Sequence, residues 1–344
     1  MIDLGSDTAT RPSAAMKRAM SEALLGDEQR GEDPTTTALE ERVAALLGFE
    51  RGLFLPSATM ANQIALALHA GAGDEIIAHR SAHVVHYEGG GTSMTSRAQV
   101  YGLDTPRGLF SAADVEAAIR AADPHHPRTT CVVVENTSNG GGGAVWPLTL
   151  LDDVFGFCRD KSIAVHVDGA RLWNAATALS LPPRRLCAGA TTVQVCFSKG
   201  LGCPFGAVLA LSDASWPRAR RLKQALGGAL RQSGVCTGAM LYALDHNLEG
   251  IAKDHARAQK LAAGLAAIPG VSVEPVESNL VFFSTGKPAA ALLSAVALRG
   301  VRLGLVARTV SPERERLRAC VHLDIQDDDV DAALIAVRDA LSAP

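Results

Sequence analysis

Four short, unbroken apolar runs at 75–78, 130–134, 162–167 and 191–197 are interleaved with stretches of helical period at 36–47, 61–70, 113–121 and 149–161. This alternation limits the fold more than any other feature of the chain. Runs this rich in consecutive apolar residues suit strands covered on both faces. The spacing therefore predicts a mostly parallel sheet flanked by helices, an α/β fold. Ligands of such sheets bind at the carboxyl ends of the strands, so chemistry is to be sought just after the apolar runs. From about residue 246 the pattern changes. A long helix is followed by apolar runs at 271–273, 279–283 and 318–323, interleaved with helical stretches at 287–299 and 327–342. The expected division is a large domain over 1–245, including the N-terminal segment, and a small C-terminal α+β domain over 246–344.

Composition narrows the function classes. Of 344 residues, 47% are apolar and 20% charged, as in an ordinary globular protein with a sizeable core. Net charge is −3 and the one Arg-rich stretch, 217–223, reads as the polar face of a helix, so nucleic acid is not an expected partner. No apolar run approaches the ~18 residues that would span a bilayer, so no membrane association is expected. The first residues show no charged-then-apolar signal pattern. Seven scattered cysteines, with no C-x-x-C pair, read as reduced core thiols of a cytoplasmic protein.

The sharpest local feature is Phe197-Ser198-Lys199-Gly200-Leu201-Gly202, directly after an apolar run. A lysine at the ligand-binding edge of a sheet is a candidate nucleophile, and adjacent glycines let a ligand approach the backbone. By itself the segment reads first as a turn. Asp168, in His166-Val167-Asp168-Gly169-Ala170-Arg171, ends another apolar run. A carboxylate there is costly without a partner, and the protonated ring nitrogen of pyridoxal 5'-phosphate (PLP) is one such partner. A helix N-cap is the alternative for Asp168 alone.

Joint order and spacing then become specific. The segments Asp3–Thr8 with Thr10-Arg11-Pro12, Gly31–Thr35, Phe54–Ser57, Tyr87–Gly90, Glu135–Thr137, Pro147-Leu148, His166–Arg171, Ser198–Gly202, Arg231–Gly234 and His322–Asp324 resemble those of the low-specificity L-threonine aldolase family over essentially the full length. The resemblance implies PLP fold type I, aspartate aminotransferase-like, with PLP as cofactor. It implies that Lys199 holds the cofactor covalently, Asp168 pairs with its ring nitrogen, and His83 stacks on the ring and serves or positions the base. His125 would contact the substrate's β-hydroxyl, with His126 an adjacent rival. Ser6, Arg171 and Arg318 would hold the substrate carboxylate, Arg171 touching the cofactor region as well. The phosphate would lie on the N–H groups of Ala58 and Thr59, and Arg231 would reach the phosphate of a neighbouring subunit. A homotetramer, a dimer of dimers with active sites at the subunit interface, follows from that.

Four positions depart from the family pattern. Arg30 stands where Tyr is usual, Gly5 where Arg is, Ser138 where His is, and Ala58 where Gly is. Arg30 would either favour an acidic β-substituent or pair with Asp27 or Glu28. Two features are decoys. Gly140–Gly143 lacks a following Gly-Lys-[Ser/Thr] and reads as a flexible loop rather than a nucleotide loop. Asp324, Asp327–Asp329 and Asp331 read as acidic residues around a helix N-terminus rather than metal ligands. The implied reaction is retro-aldol cleavage of L-threonine, L-allo-threonine or relatives such as phenylserine to glycine and an aldehyde, with no metal. Its rivals are other PLP reactions on the same scaffold (β-elimination, transaldol transfer or racemisation) and, more distantly, a non-catalytic PLP- or nucleotide-binding α/β protein.

Overall fold

The computed structural model describes residues 1–306 and 315–342. Its strands are β1 (Ile2–Leu4), β2 (Arg51–Leu55), β3 (Asp74–His79), β4 (Gln99–Leu103), β5 (Arg128–Glu135), β6 (Ala164–Gly169), β7 (Thr192–Cys196), β8 (Ala207–Leu211), β9 (Val271–Val273), β10 (Leu280–Thr285), β11 (Val301–Leu305) and β12 (Leu317–Cys320). Seven of them form one sheet in the order β2-β8-β7-β6-β5-β3-β4. Every neighbouring pair is parallel except those of β8, which runs against both β2 and β7. This is the mostly parallel sheet that the unbroken apolar runs imply. Along β5, Val132 and Val134 point into one core, whereas Cys131 and Val133 point into another on the opposite face. Period-two alternation with both faces covered is why each run is apolar throughout.

The helices close the two faces. On one side Pro34–Leu47, Leu148–Asp160 and Gly234–His246 contribute to the larger core, where Trp146 meets Phe110 edge-on at a centroid distance of 4.8 Å. On the other, Ala58–His69 and Trp216–Ala225 cover β2 and β8. Helix starts follow local chemistry. Ser57 caps Ala58–His69 by accepting the Met60 N–H at 3.1 Å, and Asp33 caps Pro34–Leu47 through the Thr36 N–H, with Pro at the first position.

The C-terminal region forms a second, five-stranded sheet, β1-β11-β12-β10-β9, backed by helices Ile251–Ala266, Ala289–Ala297 and Asp327–Ser342. Its sheet includes β1, which pairs in parallel with β11. The N-terminal segment therefore joins the C-terminal sheet rather than the large one with which the sequence grouped it. Three residues with mixed burial are too few to show a strand period, so only this pairing defines β1.

The glycine run also differs from expectation. Gly141, Gly142 and Gly143 are buried, the turn is closed by a Ser138–Ala144 bridge, and a Cβ at Gly141 would run into the Arg107 carbonyl oxygen. It is a tightly packed turn, not a flexible loop. Asp327, Asp328 and Asp329 occupy the first turn of the last helix, as the acidic pattern suggests.

Candidate active site

The carboxyl ends of three adjacent strands converge. Glu135 ends β5, Asp168 lies beside it in register on β6, and Lys199 follows β7 by three residues. His83 opens a short helix, His83–His86, after β3. Glu135, Lys199 and His83 face a cavity of about 300 Å³ that is also lined by Ser6, Thr8, Tyr87, Thr137, Asn139, Arg171, Leu305, Val306 and Arg318, with Asp168 buried behind it. The seven-stranded sheet supplies one wall. The N-terminal segment and β11–β12 supply the facing one.

Asp168 is buried, and both its oxygens accept. Its Oδ2 accepts from Asn62 Nδ2 at 2.9 Å, and its Oδ1 accepts from Gln194 Nε2 at 2.5 Å and from the Ala170 N–H at 3.2 Å. Burial alone would raise its pKa. His83, Lys199 and His166 outweigh that and hold the carboxyl below its ordinary range. Burial pushes His166 down to about 4, so it is neutral at pH 7. The Asn62 NH2 faces the Asp168 and Glu88 carboxylates, which only accept, so its Oδ1 faces His166 and accepts from Nε2 at 3.0 Å. Asn62 and Gln194 went unnoticed in the sequence. Their signal was an adjacent amide pair, Asn62-Gln63, in a buried apolar helix and a single amide in a buried strand, where an unpartnered polar group would be costly.

His83 is oriented from both sides. Its Nδ1 lies 2.9 Å from Glu88 Oε1, and Glu88, itself buried, also accepts from Asn62 Nδ2 at 2.7 Å and from Gln63. Burial would lower the imidazole pKa, but Glu88, Asp168 and Glu135 together raise it. With Nδ1 committed to Glu88, Nε2 is the nitrogen left to act in the cavity. His83, Glu88 and Asp168 each offer a ligand atom within 4.8 Å of the others. Those atoms are hydrogen-bonded to one another or to Asn62, Gln194 and Gln63, so the trio forms a hydrogen-bond network.

The two arginines arrive differently from expectation. Arg171 is 5% and Asp7 1% exposed, and Nε and Nη2 of Arg171 donate to the two Asp7 oxygens at 2.7 and 2.8 Å. The guanidinium is thus clamped internally, leaving the N–H groups of Nη1 and one of Nη2 beyond the clamp. Arg318 donates from Nη1 to Asn139 Oδ1 at 3.1 Å and from Nη2 to the Gly5 carbonyl at 2.8 Å, while its Nε is buried without a partner. Ser6 also lines the cavity and caps the short turn after β1.

Several residues that the sequence placed at the site lie elsewhere in the chain. His125, its side chain 89% exposed, and His126 sit in the turn before β5, the amino end of that strand. Eight strand residues, roughly 25 Å, separate that turn from Glu135. His125 is therefore not in this chain's own cavity, and its partner is Asp123 at 2.6 Å. Arg30 and Arg231 are exposed and share Asp27, at 3.9 and 2.9 Å. For Arg30 this is the local pairing that the sequence left open. Ala58 and Thr59 form the first turn of the helix that carries Asn62, one turn from its contact with Asp168.

Comparison with known proteins bears on this arrangement. The beta-eliminating lyase family matches residues 3–287. An uncharacterised protein of Caenorhabditis elegans is 42% identical over 262 residues, 76% of this chain but only 63% of that protein. Low-specificity L-threonine aldolase 1 of Arabidopsis thaliana is 36% identical over 354 residues, covering 99% of this chain and 96% of that one. Among solved structures, the threonine aldolase of Leishmania major superposes with a TM-score of 0.86 at 20% identity, over 99% of this chain and all of the other. The fold is that of the fold-type-I PLP enzymes.

Proposed function

The chain belongs to the beta-eliminating lyase family, and from that premise we propose that it is a PLP-dependent aldolase. It would cleave the Cα–Cβ bond of L-threonine, L-allo-threonine or related β-hydroxy-α-amino acids such as phenylserine, giving glycine and an aldehyde. The observation that supports this most is the convergence of Lys199 and His83 on one cavity closed by two arginines, with the anionic Asp168 buried within their electrostatic reach.

The residues present suit PLP. Lys199 offers a primary amine, Asp168 an anion to face a protonated ring nitrogen, and His83 a ring beside them. The N–H groups of Ala58 and Thr59, at the positive end of a twelve-residue helix, suit a phosphate. When bound, PLP supplies an electron sink for the pair released at Cα. Arg318, through the N–H groups not given to Asn139 and Gly5, would take the substrate carboxylate together with Arg171 and Ser6 Oγ. An arginine fork on a carboxylate fixes its orientation, and with it the direction of the Cα–Cβ bond. His83 Nε2 would accept the β-hydroxyl proton, its Nδ1 held by Glu88. Arg231, exposed and lightly held by Asp27, would serve the phosphate site of a neighbouring copy in a homotetramer. Among the described residues no helix is long and apolar enough to cross a membrane.

The test is a panel of threonine, allo-threonine, phenylserine and hydroxyaspartate in both α-configurations, following glycine and aldehyde. Release of ammonia and keto acid instead would establish β-elimination, a second reading that the family's name favours. Arg30→Tyr run on the same panel asks whether the departure at 30 alters the preferred β-substituent.

A further inference from the structure

Glu135 is a buried carboxylate at the cavity wall that the reaction outlined above does not use. Its Oε2 accepts the backbone N–H of His83 at 2.5 Å, and its Oε1 accepts the backbone N–H of Asn139 at 2.6 Å. The two donors belong to different turns, one after β3 and one after β5. Asn139 in its turn accepts Arg318 Nη1 at 3.1 Å. One side chain thus joins the turn that carries the histidine to the turn that holds an arginine.

We propose that Glu135 is a positioning residue for the reaction, setting the placement of the proton-accepting His83 relative to the carboxylate-binding Arg318. The inference rests on the function proposed above. Its physical basis is that two N–H donors meet two different oxygens. An ionised carboxylate accepts strongly at both; an amide would turn an N–H toward one donor, and a protonated acid would leave that donor the weaker hydroxyl oxygen. A misplacement of about 1 Å between reacting groups costs on the order of 100-fold in rate, so a tie of this kind matters to turnover. An uncompensated buried carboxylate would be expensive, and here both oxygens are satisfied.

The charged neighbours of Glu135 are Asp168 on β6, His83 and Arg171. Burial and Asp168 push its carboxyl up to about 7, against the pull of the two N–H donors and His83. Above that pH both turns are tied. As pH falls through it, protonation leaves one donor the weaker hydroxyl oxygen and releases a turn. Releasing Asn139, and so Arg318, raises KM, whereas releasing His83 lowers kcat.

The holoenzyme test compares wild type, Glu135→Gln and Glu135→Asp by pH profiles of kcat and kcat/KM across neutral pH. Hydrogen exchange by mass spectrometry over 81–88 and 137–143 accompanies it. Glu135→Gln is expected to lose roughly 10- to 100-fold in kcat/KM and to exchange faster in at least one segment. It should also lack the ionisation near 7, the remaining His83 limb moving to lower pH because a negative neighbour is gone. Glu135→Asp, which keeps the charge on a shorter stem, should recover the ionisation and part of the rate. Wild-type exchange in Glu135→Gln, or an unchanged ionisation near 7, overturns the proposal. If Glu135→Gln does not fold, faster exchange in both segments of Glu135→Asp supports it and wild-type exchange in that variant overturns it. If wild type yields no glycine from any β-hydroxy amino acid, the proposed function falls, while the exchange comparison still decides whether Glu135 ties the two turns.

Discussion

Asp7→Asn isolates the internal clamp on Arg171. The native carboxylate accepts from Arg171 Nε and Nη2 at 2.7 and 2.8 Å and from Asn279 Nδ2 at 3.3 Å, with both charged partners almost wholly buried. The amide keeps the shape but removes the charge and turns an NH2 toward the guanidinium. Leaving one charge of a buried pair uncompensated costs about 3–5 kcal/mol. At about 2.1 cal/mol/K of unfolding entropy per residue, a chain of 344 residues shifts by roughly 1.4 °C per kcal/mol. The expected fall in Tm is therefore about 4–7 °C at pH 7. Burial works against ionisation of Asp7, but Arg171 outweighs it and holds the carboxyl well below the usual range. A lowered folded-state pKa means stability present above the unfolded value, about 3.9, and lost as pH falls below it, so wild type and variant should converge in acid. Thermal unfolding of Asp7→Asn, Arg171→Met and the double variant measures the coupling. The double variant should lose less than the sum of the singles, because no buried charge is left unpaired. An unchanged Tm in Asp7→Asn, or strict additivity, would refute the reasoning.

Other consequences are more quickly stated. Glu88→Gln removes the charge that raises His83 and weakens the bond at Nδ1, so the acid limb of kcat/KM should move to lower pH, which a pH profile with threonine or phenylserine reads directly. Lys223 is buried, bonded to Glu28 and 5.2 Å from the Phe54 ring centroid. Lys223→Ala should lose about 3–5 kcal/mol by thermal or urea unfolding, and Lys223→Met with Glu28→Gln should recover much of it. Gly141→Ala would drive a Cβ into the Arg107 carbonyl, so a Tm drop of several degrees and a weakened Arg318 contact, seen as a raised KM, are expected.

Much of the architecture was legible because a doubly covered strand leaves a direct trace. The runs around β3, β5, β6 and β7 are apolar at consecutive positions since both faces are buried, and helices at 36–47 and 149–161 fall within two residues of the observed ones. The edge strand β4 left no such trace, with Gln99, Tyr101 and Gly102 exposed. Lys199 and Asp168 could be found because a charge after a buried strand is conspicuous. His125 lies outside this chain's own cavity, because likeness of a motif does not say which end of a strand a turn occupies. Placed before β5, it is at the amino edge, opposite the edge where a parallel sheet gathers its ligands. The internal capture of Arg171 by Asp7 was hidden too, since the partners are 164 positions apart and meet only through the cavity wall. Asn62, Gln194 and the bridging role of Glu135 required the hydrogen-bond partners themselves.

The central claim is that Lys199 is the amine that holds PLP. Borohydride reduction of the protein incubated with PLP, followed by digestion and mass spectrometry, tests it directly. The account predicts a phosphopyridoxyl adduct on the peptide containing Lys199, absent in Lys199→Ala. No adduct, or an adduct on another lysine with Lys199 unmodified, would contradict it.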